Sequence, residues 1–308
     1  MEHNENIYLG IDIGNSKVCI STCELSSSGE LQILGIGTSI TNGLKKSSIS
    51  DAAELLKSID RAAKRSERDA GLSSKNVLVN IPGHSMDFIQ STGLLISKSD
   101  TGQITHQDKV ECFRRSKNIP VSSTKSLLHA IPLEYRVDGK VVQNPVGVFG
   151  QSLEIDTLLI AVQSEAIMNI KKVLNQCGFF IKGFIYDGLA QSQVLLLEKE
   201  RKNGCMMIDI GGSTTKVSLF QNNIMKKSEI FPFGSDVLTQ DIATCLNVSQ
   251  PEAERLKILY GDVCLDRVSH GEMIEINSKS EGRKTIKRIL LCQIIESRVR
   301  EMFHYMYQ

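Results

Sequence analysis

Two stretches of the 308-residue chain end an apolar run in an acidic residue and follow it with a tight turn of glycine and small polar residues. The first reads Gly10-Ile11-Asp12-Ile13-Gly14-Asn15-Ser16-Lys17-Val18. The second reads Ile208-Asp209-Ile210-Gly211-Gly212-Ser213-Thr214-Thr215-Lys216-Val217. The chemistry open to such a turn is phosphate binding. Glycine lets backbone N–H groups approach an anion, Ser, Thr and Asn add donors, and an Asp at the strand end can hold Mg²⁺ through water. One copy alone is an everyday β-hairpin. Two copies can grip one polyphosphate from both sides.

The elements around the turns repeat as well. A further strand is predicted at 31–38 after the first turn and at 224–231 after the second, and in each half three strands lead into a helix. Duplication on the scale of a domain predicts two facing lobes with a cleft between them. In the first half a helix over 51–70 is expected to present Ala52, Leu55, Leu56, Ile59, Ala62 and Ala63 on one face and to stop at Gly71. A buried strand at 76–81 is broken by Pro82-Gly83; an apolar run at 157–162, a helix at 164–177 and a strand at 180–186 follow. Between them lies an insertion, 85–156, with strand-like pieces at 94–96, 127–131 and 135–137 and a helix at 105–117. The second half reads as three strands from Cys205, helices at 235–246 and 250–260, a strand-like stretch at 272–276 and a helix at 284–307. This order predicts an α/β protein with mixed sheets. Its expected divisions are 1–84 and 157–200 for the first lobe, 85–156 for the insert, 201–231 and 284–308 for the second lobe, and 232–283 for a subdomain of that lobe.

Composition narrows the function classes. Lys plus Arg (36) nearly balances Asp plus Glu (35), so no large field draws the chain to nucleic acid or to an anionic membrane. The 8 cysteines form no Cys-x-x-Cys pair and have no histidine cluster beside them, which argues against a zinc site or a disulfide framework. The start, Met1-Glu2-His3-Asn4-Glu5-Asn6, is polar and acidic, unlike a signal peptide, and no apolar run has the length of a membrane span. A cytosolic location is expected, with membrane contact only peripheral or through a partner.

The two turns, the repeat and the connecting segment Phe184-Ile185-Tyr186-Asp187-Gly188-Leu189-Ala190 resemble the actin, sugar-kinase and DnaK-type superfamily. Within it, Ile131-Pro132-Leu133-Glu134-Tyr135, Asn144-Pro145-Val146-Gly147, Pro232-Phe233-Gly234, Thr239-x-Asp241-Ile242-Ala243 and Ala253-Glu254-x-x-Lys257 are similar, in this order, to strings of the FtsA family of bacterial cell-division proteins. The resemblance implies an actin-like ATPase fold with two ribonuclease-H-like lobes around a nucleotide cleft, an FtsA-type inserted subdomain, and ATP and Mg²⁺ as cofactors. Gly14, Asn15, Ser16 and Lys17 would form the first phosphate loop, and Gly211, Gly212, Ser213 and Thr214 the second, with Lys216 beside it. Asp12 and Asp209 would place Mg²⁺, and Glu254 and Lys257, three apart on one helical face, would meet the ribose and adenine side.

The implied role is that of an adaptor. It would assemble with copies of itself, link FtsZ filaments to the cytoplasmic face of the inner membrane at the division site, and contact other divisome proteins. The insert and residues 231–283 are the expected contact surfaces. Hydrolysis would be slow at most. The alternative is a sugar or acetate kinase or a polyphosphate phosphatase of the same superfamily, with Asp187 as the candidate catalytic carboxylate.

Three departures from the family pattern stand out. Lys216 replaces an acidic residue that many relatives carry, which either adds a phosphate contact or weakens Mg²⁺ binding. Ser213 replaces a third glycine and is tolerable only if the backbone there avoids positive φ. A Gly-Gly adenosine turn and a C-terminal amphipathic membrane helix are not found in this sequence. From the last of these departures, ATP binding that is weak or absent and a chain that stays soluble unless a partner recruits it are expected.

Overall fold

The computed structural model describes residues 6–45, 48–81, 86–97, 101–118 and 122–307. The first five residues and the Pro82-Gly83 break lie outside them. The chain divides into two compact units, one of Met1–Asp209 with Lys216–Ile230 and one of Ile210–Thr215 with Phe231–Gln308.

In the first unit, β1 (Ile7–Ile13), β2 (Lys17–Leu25) and β3 (Leu31–Ile40) form an antiparallel meander whose β1–β2 register closes at Ile13 opposite Val18. Strict alternation along β1 sends Ile7, Leu9, Ile11 and Ile13 inward and leaves Asp12 on the other face. A two-residue ladder, β4 (Leu44–Lys45) with β5 (Ser48–Ile49), leads into α1 (Ala52–Ala70). The Asp51 carboxylate caps this helix by accepting from the N–H groups of Ala53 and Glu54, and Gly71 ends it in the left-handed conformation. Beyond it, β6 (Asn76–Asn80) joins β1 in parallel.

The insert begins with β7 (Met86–Ile96), which is longer than the piece expected at 94–96. Helix α2 (His106–Ser116) follows, with a Thr105–Asp108 capping box. Next come β8 (Lys125–Val137), β9 (Lys140–Val142) and β10 (Ser152–Gln163). These strands pair antiparallel in the order β7-β10-β8-β9. The two strand-like pieces expected at 127–131 and 135–137 are one strand, because the register shifts between Asp156 and Thr157 and the ladder resumes with Thr157 opposite Pro132. That irregularity lets a residue without an N–H sit inside a paired strand.

After the insert, α3 (Ser164–Gln176) and β11 (Phe180–Ile185) complete a five-stranded mixed sheet in the order β11-β6-β1-β2-β3. Its core contains Leu9, Ile11, Val18, Ile20, Leu55, Ile59, Val77, Val79 and Val173. Helices α4 (Asp187–Leu195) and α5 (Glu198–Asn203) then lead to the second meander, β12 (Cys205–Ile210), β13 (Thr215–Gln221) and β14 (Ile224–Phe231). Met207, Phe220 and Met225 of this sheet pack with Leu158, Ile160 and Tyr186.

The second unit holds α6 (Ser235–Cys245), α7 (Gln250–Tyr260), β15 (Met273–Ser278), β16 (Gly282–Lys287) and α8 (Arg288–Tyr307), with a core of Ile242, Val248, Leu256, Ile274, Ile276, Leu291 and Ile295. Helix α8 starts four residues later than the predicted 284, because residues 284–287 pair with β15 in register. Among the described residues no helix is long and apolar enough to cross a membrane.

Candidate functional site

The first turn closes with the Gly14 N–H donating to the Lys17 carbonyl at 3.0 Å. Thr41, just past β3, ties the turn back to its own sheet. Its N–H donates to the Ser16 carbonyl at 3.1 Å, and its hydroxyl donates to the Gly14 carbonyl at 2.7 Å. In a trans peptide the N–H points opposite the C=O, so carbonyls drawn toward Thr41 turn the N–H groups of Asn15 and Lys17 the other way.

The second turn repeats this construction in the second unit. The Gly211 N–H donates to the Thr214 carbonyl at 2.9 Å. The first N–H groups of α6 take the role of Thr41: Ser235 donates to the Gly211 carbonyl and Asp236 to the Gly212 carbonyl, each at 2.8 Å. The N–H groups of Gly212 and Ser213 are thereby turned away from α6, a pair of like-directed donors of the kind that cradles an anion. Thr215, at the start of β13, fixes the turn's exit through its hydroxyl, which donates to the Phe233 carbonyl at 2.8 Å. Asp138, Asn222, Asn223 and Asn247 are the non-glycine residues with positive φ among those described, so Ser213 needs no left-handed backbone.

The structure brings Asp12, Asp187, Asp209 and Lys216 together within the first unit. The Lys216 ammonium donates to Asp187 Oδ2 and lies 3.6 Å from Asp209 Oδ2. Its side chain is 16% exposed and that of Asp187 12%. Burial works against the lysine's charge, but Asp187 and then Asp209 more than offset that, and the ammonium is held above the ordinary lysine range. At Asp12, burial and then the charge of Asp187, with Asp209 further down, push the carboxyl up to about 6, against the pull of Lys216 and Lys17. Water still reaches Asp12 and screens part of this repulsion. Asn15, Ser16 and Lys17 stand at the open side of the first turn, Ser16 and Lys17 exposed.

Three positioning residues escaped the reading of the sequence. Asn80, buried at the end of β6, donates to Asp12 Oδ1 at 2.7 Å while its own Oδ1 accepts the Ile13 N–H at 2.8 Å. An asparagine closing an otherwise apolar strand was the available signal. Tyr186, fully buried, is held by its N–H donating to His129 Nε2 at 3.0 Å and by a hydroxyl bond to Ser228 at 2.7 Å, and it sets Asp187 beside Lys216. His129 thus has a structural role, with burial lowering its affinity for a proton. Gln191 on α4 donates to Asp209 at 3.0 Å, and its Oε1 is buried with no hydrogen-bond partner among the described residues, an acceptor suited to a water or hydroxyl donor.

Asp187 was expected as a catalytic carboxylate. It occupies the first turn of α4, where Tyr186 is the cap residue, and its carboxylate accepts from the Lys216 ammonium. Glu254 and Lys257 share one face of α7 as predicted but bond each other at 2.7 Å. Thr239 bridges them, donating to Glu254 at 2.5 Å and accepting from Lys257 at 2.9 Å. Among the described residues no three His, Cys, Asp or Glu side chains converge to hold a metal ion. Of the two carboxylates expected to place Mg²⁺, Asp209 lies 3.6 Å from the Lys216 ammonium and Asp12 accepts from Asn80.

The fold has known counterparts. A type IV pilus biogenesis complex, PilM-PilN, aligns with 82% of this chain and 69% of its own at a TM-score of 0.61 and 17% identity. MreB5 of Spiroplasma citri bound to ADP aligns with 97% and 77% at 0.52 and 12%. With the duplicated meander and its twin turns, these likenesses define a protein of the actin-like ATPase fold. Family models narrow the class: "Cell division protein FtsA" matches residues 206–294, and "SHS2 domain inserted in FTSA" matches residues 83–161. The cell division protein FtsA of Borreliella burgdorferi is 29% identical across 98% of this chain and 74% of its own length. That of Escherichia coli K12 is 27% identical across 98% and 72%. The chain belongs to the FtsA family.

Proposed function

We propose that this chain binds ATP, with the turns at Gly14 and Gly211 as its phosphate contacts, and serves as a cell-division adaptor. It assembles with copies of itself and links FtsZ filaments to the cytoplasmic face of the membrane at the division site. The observation that carries the nucleotide reading is the matched construction of the two turns. In each, carbonyls are tied back to the turn's own unit and N–H groups face the opposite way, which suits an anion. Family membership carries the adaptor reading. The insert and the α6–β16 region are its contact surfaces, the first toward neighbouring subunits and the second toward FtsZ. Asp187, already paired, offers no support to a kinase or phosphatase.

Calorimetric titration tests the first half: saturable heat with ATP is expected, and silence at millimolar ATP would remove the nucleotide reading. Pelleting with assembled FtsZ tests the second. The chain is expected in the pellet only when FtsZ is polymerised, and its presence in the supernatant under both conditions would overturn the adaptor.

A further inference from the structure

Lys216 follows the second turn directly, at the start of β13, and its surroundings give it a meaning. Four charged groups meet there: the carboxylates of Asp12, Asp187 and Asp209 and one ammonium. Lys216 donates to Asp187 and lies 3.6 Å from Asp209, so these two acids share one cation, while Asp12 is held from the other side by Asn80. The lysine leaves from β13, a rigid paired strand, while Asp187 is fixed through Tyr186 and Asp209 through Gln191. A mobile surface lysine that happens to find an acid would show none of this support. Mg²⁺ takes carboxylate and phosphate oxygens at about 2.0–2.1 Å and needs their lone pairs unshared with another cation. Here Oδ2 of Asp187 and Oδ2 of Asp209 already face an ammonium, which competes with a doubly charged ion for those oxygens. The acidic cluster therefore does not fit a divalent cation.

The geometry points to Lys216 as a built-in counter-cation that replaces the divalent ion, so that this chain takes the phosphates of its nucleotide in metal-free form. The ligand class is a nucleoside triphosphate or polyphosphate whose negative charge meets an ammonium fixed in the protein. The ligand half rests on the proposed nucleotide reading; the metal half does not.

Two measurements separate them. Electron paramagnetic resonance of Mn²⁺ titrated into the nucleotide-free chain should show no bound ion at about 1 mM, whereas Lys216→Asp should gain one site. Fluorescence titration with a labelled ATP should give affinities within about threefold in EDTA and in excess Mg²⁺. For Lys216→Asp the EDTA value should fall at least about tenfold and recover with Mg²⁺, and Lys216→Arg, which keeps the charge, should behave as the parent. Stoichiometric Mn²⁺ binding by the parent chain overturns the proposal, as does parental ATP binding that vanishes in EDTA. If Lys216→Asp does not fold, those two measurements on the parent still decide. Absence of ATP binding in both media, with Mn²⁺ behaving as expected, would sink the nucleotide reading and the ligand half while leaving the counter-cation assignment in place.

Discussion

Replacing Gly37 by valine should destabilise the first unit by about 3 kcal/mol or more, enough to lower its melting temperature by roughly 10 °C. Helix α1 lies so close to β3 that a Cβ on Gly37 would sit 2.0 Å from the Ala62 carbonyl oxygen and 2.4 Å from the Ser66 nitrogen. Two residues back, a Cβ on Gly35 would meet the Ala70 nitrogen at 2.5 Å and the Ser66 carbonyl oxygen at 2.6 Å. The obstacles are backbone atoms, which cannot swing aside as a side-chain tip would. The helix must lift, and lifting it uncovers Leu55, Ile59 and Ala62, all with no exposed surface in the native packing. It also strains the buried hydroxyl bond of 2.8 Å between Thr22 on β2 and Ser66 on α1. A thermal melt by circular dichroism checks this; a variant melting within about 2 °C of the parent would show that the contact yields more readily than its geometry implies.

Gly234→Val should weaken ATP binding at least tenfold, about 1.4 kcal/mol, while leaving the first unit's melting behaviour unchanged. A Cβ at this position would fall 2.4 Å from both the Gly211 and the Gly212 carbonyl oxygens. Those carbonyls accept from Ser235 and Asp236 at the start of α6 and so fix which way the turn's N–H groups face. Pushing them away rotates the peptide planes that are proposed to hold phosphate. Calorimetric titration beside a melting curve checks the result, and unchanged affinity would take the second turn out of the ligand's contacts.

What could be read from the sequence was what local rules control. The twin turns were legible because glycine, small polar residues and a terminal acid recur at one spacing, and α1 because its apolar face, its cap at Asp51 and its stop at Gly71 all agree. Strand β16 was not, since Gly282–Lys287 is a polar hairpin arm whose only apolar residue is Ile286, and only its pairing with β15 makes it a strand. The unity of β8 was hidden by Pro132, which local rules count as a breaker and which a register shift with β10 absorbs. In the site, Lys216 drew notice as a departure and Asp12, Asp187 and Asp209 as acids, but the side chains that hold those acids in place did not. Asn80 and Gln191 reach Asp12 and Asp209 from other elements, and Tyr186 is anchored by His129 and Ser228 from distant strands; no spacing rule along the chain anticipates meetings made by tertiary packing.

The interruption of the first sheet has a consequence for how the chain reaches its native state. Strands β6 and β11 are neighbours, with Phe180 beside Asn76, although about a hundred residues separate them. Closing so long a loop is entropically costly, and parallel pairing at long range is slow. The insert removes part of that cost. Its own antiparallel ladder sets Met86 opposite Val162, so the stretch entering it and the stretch leaving it emerge side by side. Once that ladder has formed, the effective loop shrinks about fourfold, a saving of roughly 1 kcal/mol in the closure of the sheet. We therefore expect the insert to work as a clasp that folds early, with pulsed hydrogen exchange showing protection of β7, β8 and β10 before β6 and β11; simultaneous protection of all five strands would refute that order.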